Sequence, residues 1–234
     1  MEDRDQLGAV DGMSAVMSAH SLYRFFHAGD DETLALQGVS LTLEPGEVVA
    51  VSGPSGSGKS TLLSCLAGLD EPDGGTVEVA GERISRRSEE ERAALRSRHI
   101  GVLYQQANLI GQLSVRDNVL LAQRLASSPT GDDWREQVLE SCGIAHRAGA
   151  RPSQLSGGEL ARAGLAVALA GAPAVVLADE PTGELDEDSA ERVVGLLRSQ
   201  AERGGAVLVV THSGEVAAGC DREIRLRDGR IVSE

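Results

Sequence analysis

Val48-Val49-Ala50-Val51-Ser52-Gly53-Pro54-Ser55-Gly56-Ser57-Gly58-Lys59-Ser60-Thr61 is the stretch around which this chain is organised. Its four leading apolar residues have the pattern of a strand buried on both faces. A glycine-rich turn follows, and then an apolar helical run through Leu66. The glycines let successive backbone N–H groups curl into an anion-holding concavity, and the helix adds its positive N-terminal end. Lys59 is the only lysine among 22 basic residues. Its compact ammonium can slot between phosphate groups where a planar arginine fork cannot. The spacing G-x-x-x-x-G-K-[ST] is the P-loop. Its N–H groups and Lys59 would hold the β- and γ-phosphates of a nucleotide, and the Ser60 hydroxyl would ligate Mg²⁺.

The 234 residues suit one domain, or a domain with a subdomain. Hydrophobic content is 41% and aromatics number five, so the core must be built from Leu, Val and Ala. A net charge of −14 argues against direct binding to nucleic acid or anionic lipid. Cys65, Cys142 and Cys220 have no metal spacing and read as reduced thiols of the cytosol, Cys65 on the apolar face of the P-loop helix. Met1-Glu2-Asp3-Arg4-Asp5 is too acidic for a secretory leader, and the longest low-polarity run, Leu165 to Leu177, is short for a bilayer and broken by Gly171 and Pro173. The expectation is a chain soluble by itself, whose membrane contact would come only through a partner.

Residues 1–17 read as a flexible extension and 18–234 as the folded domain. Leu22 to His27 holds three of the five aromatics, either a face for stacking a nucleobase or rings buried by a strand. Val39–Leu43 and Gly74–Gly81 read as strands of an antiparallel layer. Ser88 to Glu91 is a capping box opening a helix through Arg98, and Ile100 to Tyr104 is a strand. Ser114 opens a helix, Trp134 begins another, and Ser156 caps a third that continues through Ala170, giving an α-helical insert over about 105–170. Pro173 to Ala178 and Ala206 to Val210 are buried strands, ending at Asp179-Glu180 and Thr211-His212. Between them Asp186-Glu187-Asp188 starts a helix running to about Arg203. Asp228-Gly229 marks a hairpin. The predicted class is α/β: a P-loop NTPase core with a mostly parallel sheet covered by helices on both faces, plus the antiparallel layer and the helical insert. Ligands bind at the C-terminal strand ends of such sheets, where Gly53, Asp179 and His212 fall.

Asp179, closing a buried strand, is placed to hold Mg²⁺ directly or through water, and Glu180 to polarise the water attacking a γ-phosphate. Gln105 or Gln106 could reach the metal or that water. His212 could contact the γ-phosphate, whereas the other histidines read as structural hydrogen-bonders. Ser156-Gly157-Gly158 at a helix start is a second phosphate-type site, which implies either two nucleotides or one shared site.

The order of P-loop, Gln105, Leu155-Ser156-Gly157-Gly158-Glu159, Val175 to Glu180, Glu184-Leu185-Asp186 and His212 resembles the ATP-binding cassette (ABC) ATPases from about residue 18 onward. The resemblance implies a head-to-tail homodimer with two ATPs at the seam. Ser156, Gly157 and Gly158 would complete the partner's site and Asp186 would link the two sites. It puts the adenine-stacking aromatic at Phe26 and prefers Gln105 over Gln106 as the Mg²⁺-side glutamine. Ala67 to Asp70, Tyr104 to Leu109, Leu113 to Val119 and Asp179 to Gly183 are most similar to the lipoprotein-releasing, macrolide-exporting and FtsE-type cell-division group. That implies an integral membrane permease as partner and a place on the cytoplasmic face of the cell membrane. The chain departs from the usual pattern at Glu159, Glu184 and Val167. The alternative is a soluble cassette ATPase serving assembly or repair.

Overall fold

The computed structural model describes residues 15–28, 31–105, 109–126, 130–183 and 185–234. Most of the expected N-terminal extension, together with Gln106 and Glu184, lies outside these residues. In chain order the elements are β1 (Met17–Ala28), β2 (Asp31–Leu43), β3 (Val48–Ser52), α1 (Lys59–Leu66), β4 (Gly74–Val79) and β5 (Glu82–Arg83). There follow α2 (Glu89–His99), β6 (Ile100–Leu103), α3 (Val115–Leu125), α4 (Asp132–Ser141) and α5 (Gly157–Leu169), with two short 3-10 turns, Ala145–Arg147 and Pro152–Gln154, before α5. The chain closes with β7 (Val175–Asp179), α6 (Glu187–Glu202), β8 (Ala206–Val210), α7 (Gly214–Ala218), β9 (Arg222–Arg227) and β10 (Arg230–Ser233).

Two sheets result. An antiparallel one has the order β2-β1-β4-β5, and the central one has the order β10-β9-β3-β8-β7-β6. All neighbours in the central sheet are parallel except the β9–β10 hairpin. Its inner strands β3, β6, β7 and β8 are largely apolar because both faces are covered, whereas β9 and β10 at the edge alternate with charged residues. Val49, Val51, Leu177 and Leu208 pack with α1 and the antiparallel sheet, while Val48, Val176, Val207 and Val209 pack with α5 and α6 on the other side. Each such side chain taken from water contributes about 1.5–3 kcal/mol. Among the described residues the segment between β6 and β7 contains helices and no strand.

The local start signals act as the sequence predicts. Ser88 and Ser156 each accept a bond from the N–H three residues on, and Glu91 and Glu159 return the bond to the cap N–H. Ser114 caps α3 and Asp186 caps α6. Three boundaries differ. β1 begins at Met17, which is fully buried and so belongs to the folded part. β2 starts eight residues earlier than Val39, at Asp31, because pairing with β1 overrides its polar, weakly alternating first half. Helix α4 begins at Asp132 rather than Trp134, because Asp132 and Asp133 suit its positive end.

Candidate functional site

The P-loop joins the C-terminal end of β3 to α1, and two of its glycines are fixed by backbone neighbours. Gly53 has φ +151°, and a Cβ there would lie 2.1 Å from the Leu226 carbonyl oxygen. Gly58 has φ +101°, and a Cβ would meet the Ala35 carbonyl at 2.4 Å. Strands β9 and β2 therefore clamp the loop into its anion-holding shape. Lys59 Nζ donates to the carbonyls of Gly53 at 2.7 Å and Pro54 at 3.0 Å. That uses two of its three donors and leaves the third for a ligand. Ser57 is buried beneath the loop, and its Oγ has no hydrogen-bond partner among the described residues. Such an orphan costs roughly 1–3 kcal/mol, and structures tolerate it mainly near working sites.

The loop forms the floor of a cavity of about 800 Å³. Phe26, Gly53, Ser55, Gly56, Gly58, Lys59, Ser60, Thr61, Gln105, Asp179, Glu180 and His212 all line it. Pro54 is exposed at the loop's shoulder. Ser156, Gly157, Gly158 and Asp186 lie outside this cavity. The sequence reading missed Thr33, Leu34, Ala35 and Gln37 of β2 and Asp228 of the β9–β10 turn, which line it as well. The register pairs Phe26 with Thr33. Only knowledge of that hairpin could have brought β2 to the site.

Asp179 closes β7 and Glu180 follows it, and both line the cavity. Burial raises the Asp179 pKa above the usual carboxylate range, the adjacent Glu180 charge adds to this, and Lys59 partly offsets it. Glu180 sits at φ +47°, a left-handed conformation that a glutamate adopts at a cost of about 1–3 kcal/mol. Its N–H donates to the Val210 carbonyl at 2.9 Å, which holds that strained turn. The carboxylate, largely covered, lies 2.9 Å from Nδ1 of the exposed His212 ring and accepts a longer bond from the His212 N–H at 3.4 Å. Strand ends β7 and β8 thus place a carboxylate and an imidazole as one hydrogen-bonded unit facing the phosphate loop.

The Ser156 turn is also tightly specified. Glu159 accepts from the Ser156 N–H at 2.9 Å, which is the main cause of its lowered pKa, and Arg147 and His146 flank the same carboxylate. Gly158 is buried against α6, where a Cβ would approach Ser189 Oγ to 2.5 Å. Asp186 accepts from the Ser189 N–H at 3.0 Å and from its hydroxyl at 2.8 Å.

The oxygen donors at the loop are an alcohol, an amide and a half-buried carboxylate, the hard donor set that suits Mg²⁺. Among the described residues no cluster of three or more His, Cys, Asp or Glu side chains forms a metal cage.

A phosphate loop at the C-terminal edge of a parallel sheet, with an acid-ended strand two places along from the loop's own strand, defines a P-loop nucleotide-binding protein of the α/β class. Residues 36–183 match the family described as ABC transporter. The chain is 41% identical over 221 residues to the lipoprotein-releasing system ATP-binding protein LolD of Psychrobacter arcticus, covering 93% of this chain and 98% of that protein. It is 43% identical over 213 residues to the macrolide export ATP-binding/permease protein MacB of an Azoarcus species, covering 90% of this chain but 32% of that longer protein. Among solved structures, the cassette MJ0796 in a dimeric post-hydrolysis state bound to ADP and Pi superposes with a TM-score of 0.84 at 34% identity, covering 93% of this chain and 97% of that one. The chain belongs to the ABC transporter family, as an ATP-binding and ATP-hydrolysing cassette.

Proposed function

We propose that this cassette works as a homodimer that couples MgATP binding and hydrolysis to an integral membrane permease from the cytoplasmic face of the membrane. The observation that carries the proposal is the split of the site residues. Phosphate, metal-side and base-side groups line one cavity, while Ser156, Gly157, Gly158 and Asp186 lie outside it. A head-to-tail partner would bring its own Ser156 turn over the bound nucleotide. The N–H groups of that turn and the positive end of α5 would then face the γ-phosphate. LolD and MacB, by name, belong to a lipoprotein-releasing system and a macrolide exporter, which supports a permease partner in which extraction or export is the work performed. Among the described residues no helix is long and apolar enough to cross a membrane, so membrane contact would be made through the permease. The groove between α3, α5 and β6, with Leu69 and Leu125 exposed at its rim, would receive it.

In the reaction, the loop N–H groups and Lys59 would bind the phosphates, and Phe26 would stack the base. Ser60, Gln105 and Asp179 would hold Mg²⁺, which supplies charge neutralisation at the β- and γ-oxygens when bound. Glu180 would orient and polarise the attacking water. His212, bonded to Glu180, would fix that carboxylate's rotamer and present Nε2 toward the γ-phosphate. Removing Glu180's charge should slow chemistry without removing binding. E180Q is expected to bind ATP with near-parental affinity, turn over at least a hundredfold more slowly, the size of a general-base contribution, and accumulate as a dimer under ATP. Parental turnover in E180Q would remove Glu180 from the mechanism. A chain that stays monomeric in E180Q with ATP would remove the sandwich dimer.

A further inference from the structure

The aromatic cluster of β1 contains one arginine, Arg24, whose place none of the assigned roles uses. Its Cζ lies 4.8 Å from the centroid of the Phe26 ring. The ring lines the nucleotide cavity, and Arg24 is not among the residues that line it. The guanidinium is itself fixed. Nε and Nη2 donate to the two carboxylate oxygens of Asp70 at 2.8 and 2.9 Å, a bidentate fork. Nη1 donates to Asp73 at 3.0 Å and to the Phe25 carbonyl at 3.3 Å, and Asp73 also accepts the Phe25 N–H at 2.7 Å. The bonds to Asp70 push the Arg24 pKa further up, so the group is a permanent cation.

We propose that Arg24 is a positioning residue for the nucleobase platform, holding the Phe26 ring at a set height over the cavity and tying it to the phosphate-binding helix. Asp70 follows closely on α1, the helix that carries Lys59 and Ser60 at its start. The path Phe26, Arg24, Asp70, α1 therefore links the base end of the ligand to its phosphate end through groups that cannot rotate independently. Two carboxylates absorb most of the guanidinium's field, so its main work is geometric. It provides a planar, pinned surface for one face of the ring while the other face is left for the base. An unpinned Phe26 at the edge of a two-stranded ribbon would have to be ordered by each incoming nucleotide, at a cost in affinity. This inference rests on the reading of Phe26 as the base-stacking residue.

The test compares binding of MgATP with binding of magnesium tripolyphosphate, which has no base, to the full chain. R24Q should weaken MgATP binding about two- to tenfold, the factor that ordering one unpinned side chain on binding costs, and leave tripolyphosphate binding unchanged. The loss should fall in KM, with kcat held, and R24K should recover part of it. D70N, which keeps the shape of Asp70, should show the same ATP-selective loss and guards against a folding defect in R24Q. If R24Q and D70N bind ATP as the parent chain does while F26A loses affinity, the proposal is overturned and the base platform stands. If F26A binds ATP as the parent chain does, the platform reading itself falls. Equal loss for ATP and tripolyphosphate in R24Q and D70N also overturns the proposal, because only general loop support would then be left.

Discussion

Gly158→Ala measures how closely the Ser156 turn is tied to α6. Gly158 is the second residue of α5, where alanine would normally gain up to about 1 kcal/mol over glycine in a helix. Here the new Cβ would sit 2.5 Å from Ser189 Oγ and 3.1 Å from Ser189 Cβ. The first distance is impossible without movement, so the Ser189 side chain must rotate and give up its 2.8 Å bond to Asp186, which is worth about 0.5–1.5 kcal/mol. The second distance is tight but can be relieved by a shift of a few tenths of an ångström. Overpacking at such contacts costs typically 1–3 kcal/mol. After the helix gain is subtracted, G158A should be destabilised by about 1–2 kcal/mol. In G158A/S189A the offending hydroxyl is gone, and the double variant should be close to S189A alone, a coupling of about 1–2 kcal/mol. Urea unfolding followed by the fluorescence of Trp134 reads this directly. It is the sole tryptophan, and its Nε1 donates to the Ala170 carbonyl at 3.1 Å just past the end of α5. G158A unfolding at the parental midpoint, or additive effects in the double variant, would refute the reasoning.

Two further outcomes follow from charge. Asp179 has a raised pKa, so its charged form costs folding stability once the pH exceeds that raised value, and the cost vanishes below the unfolded pKa. D179N should therefore melt at a higher temperature than the parent at neutral pH without nucleotide, yet lose Mg²⁺-dependent nucleotide binding; a lower melting temperature would contradict the burial argument. Asp221 is the reverse case, its pKa lowered chiefly by the Val48 N–H, at 2.7 Å, and also by Arg198. Its stabilisation is present above the unfolded carboxylate pKa and fades as pH falls through the lowered folded value. D221N should be less stable than the parent at pH 7 and converge with it in acid; a difference in melting temperature that stays constant with pH would count against the linkage.

The parts of the site legible in the sequence are those written within one strand–loop–helix unit or at a strand end. Gly53 to Thr61 could be read because loop, lysine and helix start are contiguous. Asp179, Glu180 and His212 could be read because apolar runs announce strands, and the C-terminal ends of parallel strands face the ligand. What was not legible depends on pairing across distance. β2 contributes four cavity residues through its register with β1. The fork between Arg24 and Asp70 spans 46 positions with no periodic trace. The hydrogen bond between His212 and Glu180 joins two strand ends that adjoin only because β7 and β8 are neighbours.

Gly158 shows why legibility differs from explanation. Sequence pattern marks it as part of a phosphate-type helix start, and its burial against Ser189 supplies a second, purely steric reason for a glycine. The two reasons are compatible because they use different sides of the residue. The missing Cβ admits α6, and Asp186, which caps α6, is thereby held beside the turn that begins at Ser156. One contact therefore sets the relative height of two segments that both lie outside the chain's own nucleotide cavity. A second cassette arriving head to tail would meet them as one preformed surface, and would not have to order each separately on binding.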